Sequence, residues 1–138
     1  MVLVDTSVWV KHFRQGKAGL AELLRGASVL THPFVVGELA CGAMHNRAQV
    51  IENLVLLPTV AAATHQEVLE LIEKRRLWGR GICWVDAHLL ASALLSYCPL
   101  WTLDNRLNAA AELVGVGRFG GPWRRSSALI RRSPVCKS

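Results

Sequence analysis

The stretch Val2-Leu3-Val4-Asp5-Thr6-Ser7 joins three apolar, strand-forming residues to an aspartate and to two hydroxyl residues that favour a helix start. A strand that passes directly into a helix is typical of α/β proteins with a parallel sheet. The same form, an apolar run closed by an aspartate, recurs in Ile82-Cys83-Trp84-Val85-Asp86 and in Leu100-Trp101-Thr102-Leu103-Asp104. The chain has no other aspartate. Because aspartate is usually a surface residue, its repeated position beside apolar runs predicts a shared site.

Short apolar strands alternate with amphipathic helices along the rest of the chain. We predict strands at residues 2–4, 28–31, 60–63, 100–103 and 114–116. We predict helices at residues 7–12, 18–25, 33–45, 48–57, 65–76, 85–97 and 105–113. The alternation indicates a three-layer α/β/α fold with a central, mostly parallel sheet of about five strands. Such sheets bind ligands beyond the carboxyl ends of their strands.

Length and composition indicate one soluble domain. The 138 residues suffice for a single core. Hydrophobic residues make up 51% of the chain, but no stretch reaches the roughly 18 uninterrupted apolar residues of a membrane span. The N-terminal residues carry neither a basic leader nor a cleavage-site pattern, so we expect a cytoplasmic protein. The four cysteines form no zinc-binding pattern, which indicates reduced thiols.

The formal net charge of +6 arises near the C-terminus. From residue 113 onward the chain has six basic residues and no acidic one, interrupted by glycine, serine and proline. We therefore divide the chain into a folded domain, residues 1–117, and a basic, poorly ordered extension, residues 118–138. Such an extension either contacts a phosphate backbone or only aids solubility, and both interpretations stay open.

Four carboxylates are expected to meet at one edge of the sheet. Asp5 and Asp104 follow strands whose carboxyl ends share that edge. Asp86 heads the apolar face of a helix, and Glu38 lies among apolar residues at helical spacing, so both are expected to point inward. Taken singly, each acid has an ordinary explanation as a helix cap, a dipole-stabilising acid or the partner of an arginine.

Taken together, these acids predict a metal site. Two charges about 4 Å apart repel by roughly 4 kcal/mol at an effective dielectric of 20, which is a large fraction of a domain's net stability. A divalent cation resolves that repulsion. Oxygen ligands without histidine or thiolate favour Mg²⁺ or Mn²⁺ over zinc.

Four stretches of the sequence resemble one known family. They are Val4-Asp5-Thr6-Ser7-Val8-Trp9, Val36-Gly37-Glu38-Leu39, Gly81-Ile82-Cys83-Trp84-Val85-Asp86-Ala87-His88-Leu89-Leu90-Ala91-Ser92-Ala93 and Leu100-Trp101-Thr102-Leu103-Asp104-Asn105-Arg106-Leu107. They resemble the PIN-domain nucleases, specifically the VapC toxins of bacterial toxin–antitoxin pairs. The resemblance runs from residue 1 to about residue 116, and its four acids keep the family's order at separations of 33, 48 and 18 residues.

The resemblance implies a function and a set of partners. It implies a Mg²⁺- or Mn²⁺-dependent endoribonuclease that cleaves cellular RNA of the tRNA or rRNA type and inhibits translation. The acids Asp5, Glu38, Asp86 and Asp104 would be both catalytic residues and metal ligands, directly or through water. The products would carry a 5′-phosphate and a 3′-hydroxyl. The partners would be RNA, a VapB-like antitoxin and a second copy of the chain, without a membrane.

Other polar residues beside the acids are candidates for supporting roles. We expect the carboxylates to be hydrogen-bonded by Thr6, Ser7, Thr102 and Asn105, although the same residues could only cap helices and turns. Arg80 and Arg106 follow or precede the acidic stretches closely and are candidates to hold RNA phosphates. Surface salt bridges are the competing explanation for both arginines.

Three other functions can be compared with the sequence. A receiver-type phosphoacceptor would need an acidic pair after its first strand and a lysine after its last, but Thr6 and Ser7 follow Asp5 and no lysine lies between Arg76 and Lys137. A catalytically silent RNA-binding module would not need the complete acidic set. An RNA-processing PIN nuclease without an antitoxin remains an alternative to the toxin.

Overall fold

The computed structural model describes residues 1–16 and 18–119. Its elements in this part of the chain, in order, are β1 Val2–Val4, α1 Thr6–Gln15, α2 Ala18–Arg25, β2 Val29–Leu30, α3 Pro33–Cys41, α4 Arg47–Val55, α5 His65–Arg75, α6 Trp84–Ser96, β3 Leu100–Trp101 and α7 Asn105–Val114. The predicted α/β class is confirmed. Nearly all of the predicted basic extension, residues 120–138, lies outside the described residues.

The sheet has the order β2-β1-β3, and both pairings are parallel. Leu3 of the central strand is paired with Leu30 on one side and with Leu100 on the other. Val2, Leu3 and Val4 are all buried. Because alternate residues of a strand point to opposite faces, both faces of β1 are covered, as a three-layer arrangement requires.

The prediction of about five strands is wrong, because three strands form the sheet among the described residues. Two single parallel bridges extend its edges: Thr31 pairs with Thr59 beside β2, and Leu100 pairs with Arg118 beside β3. The outer strands that the sequence predicted are therefore reduced to one bridging residue each.

The predicted strand at residues 60–63 is absent because its backbone bonds to a helix. The amide of Ala61 donates to Ser96 Oγ at 2.9 Å, and the amide of Ala63 donates to Ser92 Oγ at 3.0 Å. Both serines belong to α6. The amide of Val60 still donates to the carbonyl oxygen of Thr31 at 2.8 Å. The contact with the sheet therefore stops at residue 60, and the rest of the segment is held across α6.

The other differences lie at the ends of elements. The strand predicted at 114–116 is wrong because Val114 is the last residue of α7, where Gly115 adopts a positive φ of 83°. The helix predicted to reach residue 45 ends at Cys41, and the amide of Gly42 donates to the carbonyl oxygen of Leu39. These ends were misplaced by a few residues, whereas the identity and order of the helices are confirmed.

Helix α6 lies in the core and carries one of the acids at its start. Eight consecutive residues, 87–94, are buried, as expected for a helix that is apolar on all sides. It packs against α5, α7 and β3. Asp86 immediately precedes this buried stretch, so the core fixes the position of its carboxylate. Within the described residues, no helix is long and apolar enough to cross a membrane.

Candidate metal and active site

Asp5 is the most buried of the four predicted acids, with 7% of its surface exposed. Its Oδ2 atom accepts hydrogen bonds from Ser7 Oγ and from Thr102 Oγ1, both at 2.7 Å. The same hydroxyls accept hydrogen bonds from the next loop, Ser7 from the amide of Leu103 and Thr102 from the amide of Asp104, both at 3.1 Å. These bonds fix the Asp5 carboxylate and tie it to the loop that carries Asp104. They also explain why β3 ends before residue 103.

Asp104 is the cap of α7. Its Oδ1 atom accepts hydrogen bonds from the amides of Arg106 at 2.8 Å and Leu107 at 3.2 Å. The capping role is therefore confirmed for Asp104, and it leaves Oδ2 outside these bonds. Asp5 stands at the equivalent position of α1, but its side chain makes no capping bond there. Asp104 is thus held by backbone amides of α7, whereas Asp5 is held by two side-chain hydroxyls.

Asp86 is half-buried at the first turn of α6. Its Oδ2 atom accepts a hydrogen bond from the amide of Cys83 at 3.0 Å. Burial raises the pKa of the Asp86 carboxyl above its usual value, and the hydrogen bonds from Cys83 oppose this shift. The negative charges of Asp5 and Asp104 raise the pKa further. The charge of Asp86 therefore interacts with the charges of both Asp5 and Asp104.

Glu38 differs from the prediction. It is exposed, whereas helical spacing placed it inward. The buried face of α3 is formed by Val35 and Leu39, and Glu38 lies beside that face at the solvent boundary. Thr6 Oγ1 donates to Glu38 Oε1 at 2.9 Å. Because Thr6 follows Asp5 directly, this bond brings Glu38 to the same edge of the sheet.

Three of the four carboxylates share one pattern of hydrogen bonding. In Asp5, Glu38 and Asp104 a single oxygen accepts all the hydrogen bonds that the carboxylate makes within the described residues. These oxygens are Oδ2 of Asp5, Oε1 of Glu38 and Oδ1 of Asp104. Asp86 accepts from the amide of Cys83 through Oδ2 and also interacts with the Cys83 side chain. Among the described residues, the second oxygen of Asp5, Glu38 and Asp104 accepts no hydrogen bond and is open to a cation or water.

The donor set fits a hydrated divalent cation better than a closed metal cage. In residues 1–16 and 18–119, no three His, Cys, Asp or Glu side chains lie close enough together to hold one metal ion directly. Mg²⁺ usually keeps several waters and takes only one or two carboxylates. Carboxylate oxygens without imidazole or thiolate suit Mg²⁺ or Mn²⁺. The remaining acids would reach such an ion through water.

The expected supporting residues are divided between the acids. Ser7 and Thr102 hold Asp5, and Thr6 holds Glu38. Asn105 lies at the start of α7, and its side chain makes no hydrogen bond to a carboxylate within the described residues. The expectation of hydrogen bonding to the acids therefore fails for Asn105, for which turn formation was the competing explanation.

The two arginines line one open cleft of about 510 Å³ between the loop at residues 79–81 and α7. Arg80 belongs to the loop, and Arg106 is the second residue of α7. Both side chains are exposed. The cleft begins at the turn of α7 that Asp104 caps, so the cations border the acidic edge.

Sequence reasoning missed three contributors to the site. The amide of Cys83 holds Asp86, and Asn108 Nδ2 donates to the carbonyl oxygen of Thr102 at 3.2 Å. Gly81 lies against Arg106. The spacing of Asn108, one helical turn after Asp104, was an available signal. The other two contributors, the amide of Cys83 and the Cα atom of Gly81, are backbone groups. The residue type at a position does not reveal that its backbone will contact a site residue.

Comparisons with known proteins show which family the chain belongs to. The sequence model of the PIN domain family matches residues 2–113. The protein named ribonuclease VapC32 in Mycobacterium tuberculosis, in strains CDC 1551 / Oshkosh and ATCC 25618 / H37Rv, is 49% identical over 117 residues, covering 84% of this chain and 94% of the relative. The crystal structure of PAE2754 from Pyrobaculum aerophilum matches with a TM-score of 0.56 at 17% identity, over 86% of this chain and 83% of that one, and shows similarity of fold alone. The chain therefore belongs to the PIN-domain family, in the branch that contains the VapC ribonucleases.

Proposed function

We propose that this protein is a divalent-metal-dependent endoribonuclease, the toxin of a toxin–antitoxin pair, which cleaves cytoplasmic RNA of the tRNA or rRNA type and thereby inhibits translation. The observation that carries the proposal is the set of four carboxylates at one sheet edge, each held by hydrogen bonds from the protein's own amides or hydroxyls. The 49% identity to a protein named ribonuclease VapC32 supports it.

Asp5 and Asp86 are the proposed direct ligands of Mg²⁺ or Mn²⁺. They are the two most buried acids of the site, and their charges interact. Asp104 and Glu38 complete the site through water, because no three of these side chains in the described part of the chain are close enough to hold one ion directly. A bound divalent ion supplies Lewis acidity at the phosphoryl group and a water of lowered pKa.

The chain's own residues supply position and proton handling. Ser7 and Thr102 keep the Asp5 carboxylate in one orientation, so that its other oxygen stays available. Thr6 holds Glu38 at the solvent boundary, where its free oxygen can orient or deprotonate the attacking water. In-line attack then releases a 3′-hydroxyl and a 5′-phosphate without a histidine base or a serine nucleophile.

The test is end-mapped cleavage of total cellular RNA by the wild type and by Asp86→Asn, with Mn²⁺ and with EDTA. Asparagine keeps an oxygen that can accept the hydrogen bond from the amide of Cys83, so the start of α6 should persist. We expect discrete cuts with Mn²⁺, none with EDTA, and a loss of about a hundredfold or more in the variant, because removal of one transition-state contact typically costs this much.

Glu52→Gln is the matched control. Glu52 is an exposed residue of α4, and the substitution removes one negative charge without touching the site. It should cut like the wild type. Equal cleavage by the wild type and Asp86→Asn would sink the catalytic assignment, and binding of RNA without cleavage would favour a silent RNA-binding module.

The proposed partners are a VapB-like antitoxin and a second copy of this chain. The end of α4 presents apolar side chains to solvent, with Val55 62% and Leu56 82% exposed, and such residues suit a partner segment. Co-expression with a neighbouring antitoxin reading frame should yield a stable complex without nuclease activity. The absence of such a frame would favour an RNA-processing nuclease.

A further inference from the structure

The cleft beside the acidic edge contains two guanidinium groups that have no carboxylate partner in residues 1–16 and 18–119. Within the described residues, neither Arg80 nor Arg106 forms a salt bridge. Arg80 Nε donates to the carbonyl oxygen of Arg76 at 2.8 Å, which orients the side chain without neutralising its charge. The salt-bridge explanation for these arginines therefore finds no support in this part of the chain.

The Arg106 side chain packs against Gly81, where a larger residue would displace it. A Cβ atom added at Gly81 would lie 2.7 Å from Cδ and 2.8 Å from Nη1 of Arg106. Arg106 thus lies directly on the bare Cα of residue 81. Gly81 also has a φ of 76°, which other residues rarely adopt. Residue 81 therefore has to lack a side chain and has to adopt a positive φ, and glycine meets both conditions. Gly81 is thus a positioning residue for Arg106.

The cleft is connected to the carboxylates on both of its walls. On one wall, the amide of Arg106 donates to Asp104 Oδ1 at 2.8 Å. On the other wall, the loop that carries Arg80 and Gly81 continues within five residues to Asp86. An extended polyanion whose cut bond lies at the acids would therefore pass over this cleft.

We propose that the Arg80–Arg106 cleft binds a phosphodiester group of the RNA next to the one that is cut. This proposal rests on the proposed ribonuclease function. A guanidinium recognises phosphate through charge-assisted hydrogen bonds, often in pairs. The cleft volume of about 510 Å³ lies in the range of small-ligand sites. Two fixed cations offset the repulsion between an acidic site and a polyanionic substrate.

The experiment measures the binding of a fluorescent single-stranded RNA to the full chain in EDTA, across a series of salt concentrations. Binding in EDTA is independent of cleavage, so its outcome is separate from that of the nuclease assay. We expect Arg80→Gln and Arg106→Gln each to weaken binding roughly three- to tenfold and to reduce the salt slope by about 0.7, the value for one phosphate contact in a single strand.

Arg25→Gln is the matched control, because Arg25 is an exposed arginine at the end of α2. It should keep the slope and the affinity of the wild type. Inorganic phosphate, added at constant ionic strength, should compete only weakly if the ligand is an RNA backbone. Strong competition by phosphate would overturn the assignment to RNA.

Gly81→Ala provides a second, independent test. It should weaken RNA binding in the wild-type background and have a smaller effect in the Arg106→Gln background, because the contact with that arginine is then gone and only the backbone strain at residue 81 remains. A general folding defect would instead reduce affinity equally in both backgrounds. Unchanged RNA affinity and slope in both arginine variants would overturn the proposal and leave the cleft to an acidic protein segment.

Discussion

The Asp5 carboxylate depends on two hydroxyl groups from distant parts of the chain. Ser7 follows it by two residues, whereas Thr102 lies 97 residues away. Thr102 is 5% exposed, and its Oγ1 also accepts from the amide of Asp104. The Thr102 hydroxyl therefore binds both the Asp5 carboxylate and the backbone of Asp104.

Replacement of Thr102 by valine should reduce both stability and RNA cleavage. Valine has nearly the same shape but leaves the amide of Asp104 and the Asp5 carboxylate each with one hydrogen bond fewer. We expect a loss of about 1–3 kcal/mol in the free energy of unfolding, measured with urea. Thr102→Ser keeps the hydroxyl and is the control. A valine variant as stable and active as the serine variant would contradict this role.

At the scale of single residues, the sequence predicted which side chains interact better than which of their atoms form the hydrogen bonds. It singled out Asp5, Asp86 and Asp104 because each closes an apolar run, and their role in a metal site stays a prediction. It also predicted that Ser7 and Thr102 hydroxyls donate to the acids, and both donate to Asp5. It misjudged Glu38, since helical spacing does not distinguish the centre of a buried face from its boundary. Which oxygen of each acid is held depends on amides and hydroxyls brought together only by folding.

The helices around the sheet could be predicted from local sequence, whereas the edge strands of the sheet could not. Thr64 accepts from the amide of Glu67 in a capping box, and α5 begins where the sequence predicted. The strand at residues 60–63 was predicted from its apolar β-compatible residues, yet two serines of α6 take its amides. Propensity describes the segment alone, whereas a competing partner on another element decides its pairing.

The two serines of α6 allow a matched test of burial. Ser92 is fully buried and Ser96 is partly exposed, and each accepts one backbone amide from the same segment. Ser92→Ala should cost about 1–3 kcal/mol in the free energy of unfolding, because the amide of Ala63 loses its partner away from water.

Ser96→Ala should cost clearly less, since water can replace the lost acceptor at Ala61. Chemical denaturation of both variants gives the comparison directly. Equal losses would mean that burial does not govern these bonds.

At the scale of the whole molecule, the starts of three helices meet at a cluster of three histidines. His32 caps α3, His65 begins α5, and His88 lies in the first part of α6. His65 Nδ1 and His88 Nε2 are 3.1 Å apart. Burial, followed by the charge of His88, lowers the pKa of His32 to about 4. Burial and the charge of His65 lower the pKa of His88.

Acid should therefore weaken the whole fold below neutral pH. An unfolded histidine binds a proton near pH 6.5, whereas folded His32 does so only near pH 4. The unfolded chain gains protons in this window, so stability is intact above pH 6.5 and is lost as pH falls to about 4. The slope from one histidine is at most about 1.4 kcal/mol per pH unit.

His32→Asn separates this contribution from that of other groups. Asparagine can accept the amide hydrogen bond of Phe34 that His32 Nδ1 now accepts, but it does not titrate. Urea unfolding between pH 7 and 4.5 should show a shallower decline for this variant. His45→Asn, at an exposed residue, should follow the wild type. An equally steep decline for His32→Asn would refute the assignment.

Asp86 stands at the first turn of the helix that fills the core, and this position has a genetic consequence. In a random-mutagenesis screen for inactive variants, changes at the four acids would form only a small target. The eight buried residues that follow Asp86 would add a larger one, because a shift of α6 moves the carboxylate without removing it. Inactivating mutations should therefore be dense along this helix, and revertants of the milder ones should map to its packing partners in α5 and α7.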